Sequence, residues 1–267
     1  MDDSPVVQVL KSRNVLREIL GYKAAAPEAE APEAPEEEEA EAEAGRNEYN
    51  FDENFDNIEL EDLYDTDKRN FVVTHKDIPE WNLHVSYLKF PAKGDSTNIN
   101  ISKTSIENEI DAIYGKDTAN KEDNIIIILP PNTSTAYSTY INYVDNVNMG
   151  IEKTGEVSDL EKEILKKYSK PDVLRSRHIH NIQIFHINAL TVNILKHKMV
   201  PKHEIIRNDT EIEKILEEHN CSSKTQFPVI QKHDAVAEIL GLVSGDMVKI
   251  HRASIASGKS VFYRICK

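Results

Sequence analysis

Asn124 to Leu129 read "NIIIIL" and run straight into a proline pair. β-branched side chains lose rotamer freedom in a helix and pack well on a pleated surface, so the run is predicted to be a strand. Successive strand residues point to opposite faces, and a run with no polar alternate suits a strand covered on both of them. A strand of that kind belongs to a layered α/β architecture, and the neighbouring sequence is read for the layers.

Before the run, Val6, Val9, Leu10, Leu16, Ile19 and Leu20 fall roughly at helical spacing, and Gly21 is a natural stop. "NIELEDLYD" is expected to be helical, and "FVVTHKD" and "LHVSYLKF" to be strands, the second alternating His84 and Ser86 with Val85 and Tyr87. "SKTSIENEIDAIYG" opens on cap residues, places Ile106, Ile110 and Ile113 on one face and stops at Gly115. After the run, "SDLEKEILKKYSKP" is predicted to be a capped helix ended by Pro171, and "HIHNIQIFHI" a strand. Helices and strands alternate from 50 to 190, which sets the class as α/β or α+β.

Charge is distributed very unevenly. Residues 24 to 67 hold 18 acidic residues against one basic residue, Arg46, so this stretch accounts for the whole net charge of −14 and leaves the remainder slightly basic. Its first part, "KAAAPEAEAPEAPEEEEAEAEAG", has no aromatic or β-branched residue to bury. Burial cannot then offset the entropy of ordering, and a disordered insert over about 24–48 is expected. Such a tract is usually a solvated linker, although it also has the charge to mimic nucleic acid or to bind basic partners.

The last 75 or so residues form a second, smaller α/β unit. "DTEIEKILEEH" is predicted to be a helix capped by Asp209 or Thr210, with Ile212, Ile215 and Leu216 inward. "HDAVAEILGL" is another, with Asp234 as cap, Val236, Ile239 and Leu240 inward, and Gly241 just past its end. "DMVKIHR" and "SVFYRI" have the period of strands and are joined by "ASIASGK". The Gly258-Lys259-Ser260 within that joint is not a phosphate loop. The first glycine of such a loop would stand at Ala253, and a strand rather than a helix follows Ser260. Gly258 is instead the turn residue of a hairpin, where positive φ carries no steric cost.

Little else in the sequence points to chemistry. Two cysteines, Cys221 and Cys266, are too few for a disulfide framework and are read as small buried or half-buried residues. His178 and His180 project from one strand face as half a zinc or copper site, but no thiol or acid at fixed spacing completes it. Asp159, Glu161 and Lys162 have the spacing of a solvated helix face rather than of a nuclease centre. No apolar run approaches membrane-spanning length, and Met1-Asp2-Asp3 is followed by neither a basic nor an apolar leader segment. A reducing compartment, no membrane partner, no metal and no other cofactor are expected.

From Phe185 to the end the chain carries, in order, Val200-Pro201-Lys202-His203, Phe227-Pro228, the helix from Asp234 to Gly241, Gly245-Asp246-Met247-Val248-Lys249-Ile250 with Arg252, and Tyr263-Arg264-Ile265. In these motifs it resembles the assembly domain of the common fifth subunit of eukaryotic-type RNA polymerases, a family with archaeal members. The front of the chain is similar, less closely, to the jaw domain of the same subunit in "RNVLREILGY" and in "PPNTSTAYSTYI", a Thr/Ser-rich loop entering a helix. Departures are Ala235 where the family has proline, Val229 and Glu238 where arginines are common, and Ala253-Ser254-Ile255-Ala256 in place of a Pro-Ser-Glu-Thr-like turn. These changes put particular polar contacts to the large subunit in doubt, and the acidic insert is foreign to the family.

The resemblance implies a jaw-like α/β domain over 1–192 and an assembly domain over 193–267. It implies a non-catalytic polymerase subunit, with no small-molecule substrate, that docks on the largest subunit and forms the lower jaw near downstream DNA. The implied interface comprises Val200, Pro201, His203, Phe227, Pro228, Ile230, Val248, Lys249, Arg252, Tyr263 and Arg264. Asp234, Gly241, Gly245 and Gly258 serve its caps and turns, and Asn132, Thr133, Ser134, Thr135 and Ala136 approach duplex DNA by weak, non-specific contact. The compartment is the nucleus for a cellular enzyme, and the virion or a cytoplasmic factory for a viral one. The competing reading is an adaptor that keeps the docking domain but uses the acidic tract to recruit chaperones or basic partners outside the elongating enzyme.

Overall fold

The structure is a computed structural model that describes residues 4–21, 48–52, 55–90, 101–115, 123–131, 137–154, 181–254 and 258–267. The helix expected over 158–171, the His178/His180 pair, the 132–136 loop and the acidic insert up to residue 47 lie outside these residues.

β1 (Tyr49–Asn50), β2 (Phe71–His75), β3 (Asn82–Tyr87), β4 (Asn124–Leu129) and β5 (Ile182–His186) form one five-stranded sheet in that order. The first three strands pair antiparallel, and β3, β4 and β5 pair parallel. A parallel step needs a crossover, and helices supply it: α3 (Lys103–Tyr114) lies between β3 and β4, and α4 (Tyr137–Thr154) between β4 and β5. α1 (Pro5–Leu20) covers the other face. The isoleucine run is buried throughout and divides its side chains as strand geometry demands. Ile126 and Ile128 join Val9, Leu16 and Leu20 of α1, whereas Ile125, Ile127 and Leu129 join Ile106, Ile110 and Ile113 of α3 and Val144 of α4. Each such isoleucine contributes about 1.5–3 kcal/mol of transfer free energy on burial.

Local signals place most of these elements. Ser102 caps α3 by accepting from the Ser105 backbone N–H, and Ser105 reaches back to complete a capping box. The expectation for "NIELEDLYD" is corrected: only a 3-10 turn, Asp62–Tyr64, forms, and a single short helix, α2 (Thr66–Arg69), follows it. Glu61 and Asp65 stand at the i, i+4 spacing where like charges oppose a helix, and Leu63 is the buried side chain of the turn. The polar alternation in β3 does not mark a solvent face either, since Leu83 to Tyr87 are all buried. His84 Nε2 lies 2.9 Å from Asp123 Oδ2, and the Ser86 hydroxyl donates to Glu109 Oε1 at 2.6 Å, so both polar groups are satisfied beneath α3.

The second sheet is four-stranded, in the order β6 (Lys202–Ile206), β8 (Met247–Ser254), β9 (Gly258–Cys266), β7 (Val229–Ile230). β6–β8 and β8–β9 are antiparallel, and β7–β9 is parallel. α5 (Asp209–Glu218) covers one face and α6 (Ala235–Leu240) the other. α5 is capped by Asn208, one residue before the expected cap, because its Oδ1 accepts from the N–H groups of Thr210 and Glu211. The cap of α6 is Asp234 as expected, and Gly241 adopts the left-handed conformation at φ 64°. The expected boundary near 192/193 falls in the connector between the sheets, which carries two 3-10 turns. One apolar core runs through both sheets: Ile230, Leu240, Val248 and Cys266 belong to the same cluster as α1.

Candidate docking face of the C-terminal domain

The β8–β9 hairpin positions the implied interface residues. Side chains directly opposite one another in a ladder share a face, so the register sorts them. Ile206, Met247 and Ile265 form one row, Glu204, Lys249 and Tyr263 the next, and Lys202, His251 and Val261 the third. α5 covers the first row with Ile212 and Ile215, Tyr263 of the second packs against the same cluster beside His219 and Phe227, and the third row lies beyond it. On the opposite face, Ile205, Val248 and Arg264 make one row and His203, Ile250 and Phe262 another, with Arg252 opposite Ser260 beyond them.

This geometry separates the implied interface into surface and support. Phe227, Ile230 and Val248 are buried in the chain's own core, Val248 at 0 % exposure, so they support the hairpin rather than present surface to a partner. Pro228, Arg252 and Arg264 are exposed, while Val200, Pro201, His203, Lys249 and Tyr263 are half-buried. Gly245 and Gly258 hold the turns at positive φ, 93° and 70°. The sequence-based reading did not single out Val261 and Phe262, which are 43 % and 47 % exposed and adjacent on β9, on opposite faces of the sheet. Arg252 places its guanidinium 5.6 Å from the Phe262 ring centroid, and Arg264 donates from Nη1 to the Val229 carbonyl. Isolated exposed apolar residues are ordinary, but an aromatic beside two arginines at a hairpin end is the composition of a docking anchor. Asn132 to Ala136 lie outside the described residues, and α4 starts directly after them at Tyr137.

Charges on the α5 side centre on Glu204. Lys202 Nζ lies 2.8 Å from its carboxylate, His251 Nε2 2.9 Å and Lys249 Nζ 3.8 Å. The hydrogen bond from Lys202 is the chief cause that holds the Glu204 carboxyl down at about 2; burial opposes it and His251 adds to it. A carboxyl whose folded pKa is depressed contributes stability above its unfolded value and loses it as pH falls through the folded one. The stability difference between the wild type and Glu204→Gln is therefore expected to be constant above roughly pH 5 and to shrink toward about pH 2. Solvent screening keeps it near ~1 kcal/mol or below, and urea midpoints measured across that range check it. On the other face, burial pushes the His203 imidazole down, although its Nδ1 sits 2.6 Å from the Pro201 carbonyl oxygen.

A set of inter-sheet ties escaped sequence reasoning. Arg207, just after β6, pairs with Glu48 at the start of β1. Burial lowers the Arg207 pKa, but the Glu48 charge and hydrogen bond more than offset it, and the guanidinium pKa is raised overall. Asp145 of α4 binds Lys232 Nζ at 2.9 Å and His233 Nε2 at 2.8 Å, and Gln183 of β5 donates to the Glu238 carbonyl. Among the described residues, no group of three or more His, Cys, Asp or Glu is placed to hold a metal ion, and no helix is long and apolar enough to cross a membrane.

The chain has recognisable relatives. The family model for "RNA polymerase Rpb5, C-terminal domain" matches residues 192–266. "DNA-directed RNA polymerases I, II, and III subunit rpabc1" of Dictyostelium discoideum is 28 % identical over 150 residues, covering 54 % of this chain and 72 % of that protein. "DNA-directed RNA polymerase subunit Rpo5" of Methanosarcina barkeri is 40 % identical over 73 residues, 27 % of this chain but 91 % of the relative. The Rpo5 protein of Methanopyrus kandleri is 45 % identical over 78 residues and covered to 84 %.

Proposed function

Because the chain belongs to the Rpb5/Rpo5 family of RNA polymerase subunits, we propose that its C-terminal domain docks on the largest polymerase subunit through the outer end of the β8–β9 hairpin. The chain is a non-catalytic subunit of a DNA-directed RNA polymerase. One observation carries the docking assignment: archaeal relatives are matched over 91 % and 84 % of their lengths by about a quarter of this chain. Whatever holds the shared subunit in the enzyme must reside in the shared part. In that part, Phe262, Arg252 and Arg264 combine apolar area with forked donors, and the sheet behind them is braced by Val248 and Ile230, so little order is lost on binding.

The first domain serves as the jaw, placed toward downstream duplex, with phosphate contacts that position without reading sequence. The slightly basic balance outside the acidic tract suits weak contact of this kind, made by the 132–136 loop ahead of α4. The subunit works where its enzyme works, in the nucleus of a cell or in the virion or factory of a virus.

Tagged full-length chain carrying Arg252→Ala and Phe262→Ala is expected to recover the two large subunits at least about tenfold less well than the wild type. Its unfolding midpoint should be unchanged, because both side chains stand on the surface. Undiminished recovery would place the docking site elsewhere. Loss of the wild-type chain from elongating complexes would favour the adaptor reading.

A further inference from the structure

We propose that the junction between the two domains contains a binding site for a single ordered water molecule, held by the indole N–H of Trp81. Trp81 is 4 % exposed, and its Nε1–H has no hydrogen-bond partner among the described residues. A buried N–H without an acceptor is rare in native proteins, because dehydration is costly and nothing offsets it. Trp81 also lines a polar cavity of ≈ 20 Å³, with Glu48, His75, Asn124, Gln183 and Arg207 around it. A water needs about 10–15 Å³ of cavity space and two to four polar partners, so a cavity of this size suits water rather than a larger ligand.

The wall selects a neutral guest. Arg207 and the indole N–H repel a cation, and the Glu48 carboxylate repels an anion. Several other polar wall groups are already committed. Gln183 Nε2 donates to the Glu238 carbonyl, Asn124 Nδ2 points to the Tyr49 hydroxyl at 3.4 Å, and His75 Nδ1 accepts from the Asp77 N–H. Acceptor capacity remains: Asn124 Oδ1 receives one hydrogen bond, from the Asn181 N–H, and an amide oxygen accepts two. A water that accepts from Trp81 and donates to Asn124 Oδ1 and the Glu48 carboxylate matches this set. The site takes walls from both domains, since Arg207, Leu240 and Gly241 close it from the second. Water there fixes the indole, on which the His75 ring stacks at 5.0 Å, and with it the seat of the second domain on the first.

Trp81 is the single tryptophan of the chain, so full-length ¹⁵N-labelled protein gives one indole N–H signal. A cross-relaxation peak between that proton and water, with the sign of a molecule held longer than nanoseconds, is expected. Its absence would overturn the proposal. Trp81→Phe, which removes the donor, is expected to lower the unfolding midpoint by about 2–4 °C. A variant as stable as or more stable than the wild type would count equally against a satisfied N–H. Crystals of the full chain soaked in bromide should show no anomalous peak at the cavity, and a peak there would mean that the site takes an anion instead.

Discussion

Full-length chain carrying Met247→Asp is expected to lose its folded C-terminal domain and, with it, recovery of the large polymerase subunits. Met247 has 0 % exposure and lies between Ile206 and Ile265 in the row that α5 covers with Ile212 and Ile215. These four isoleucines and Phe227, which share its cluster, offer neither a hydrogen bond nor a positive charge to a carboxylate. An isolated buried charge either pays a large desolvation penalty or takes up a proton, and the cost exceeds about 4 kcal/mol on either route. That is a large share of the roughly 5–15 kcal/mol by which domains are stable. The residue before it supplies the control. Asp246 is buried too, yet its Oδ2 accepts the Val243 N–H at 3.1 Å, so an acid is accommodated one position away where a donor meets it. Met247→Leu keeps volume and apolarity and should cost less than about 1.5 kcal/mol. Circular dichroism through a urea titration, with large-subunit recovery scored in parallel, separates these outcomes.

What could be read from the sequence follows from how far apart cause and effect lie along the chain. The isoleucine run, the Ser102 and Asp234 caps, and Gly241 and Gly258 at positive φ are set by residues within a turn or two of each other. Their physics is complete in a short window, and the window suffices. His84 was legible as a strand residue, but its burial was not, because Asp123 is 39 positions away. The Lys232–Asp145 tie spans 87 positions and the Arg207–Glu48 tie 159. No local pattern marks such partners, and Glu48 in particular reads as the last member of an acidic tract. Similarly, motif resemblance gathered Val248 and Arg252 into one interface; strand register puts both on one face, but Val248 is buried in the chain's own core and Arg252 is exposed.

The Arg207–Glu48 pair should show the second-largest effect, through the seating of one domain on the other. Glu48 is fixed by its backbone as well: its N–H donates to the Leu20 carbonyl, and its carbonyl accepts the Lys76 N–H. Gly21 bridges to Tyr49 beside it, so the two described residues that flank the acidic insert's ends are tied together. The two side chains are only 19 % and 16 % exposed, which removes most of the screening that makes surface pairs weak. Glu48→Gln removes the chief counter-charge of the buried Arg207 guanidinium, leaving Asp246 as the other acid that favours it, and is expected to cost about 3 kcal/mol. Arg207→Met removes the ion-pair partner of the Glu48 carboxylate at similar cost. Replacing both, by Glu48→Gln with Arg207→Met, removes charge from each side, so the double variant should be more stable than the sum of the single losses by about 1–3 kcal/mol. Strict additivity in urea unfolding would mean that the two charges do not interact across the junction. In the single variants, faster hydrogen exchange is expected first at the amides of Glu48 and Lys76, which the junction holds in place.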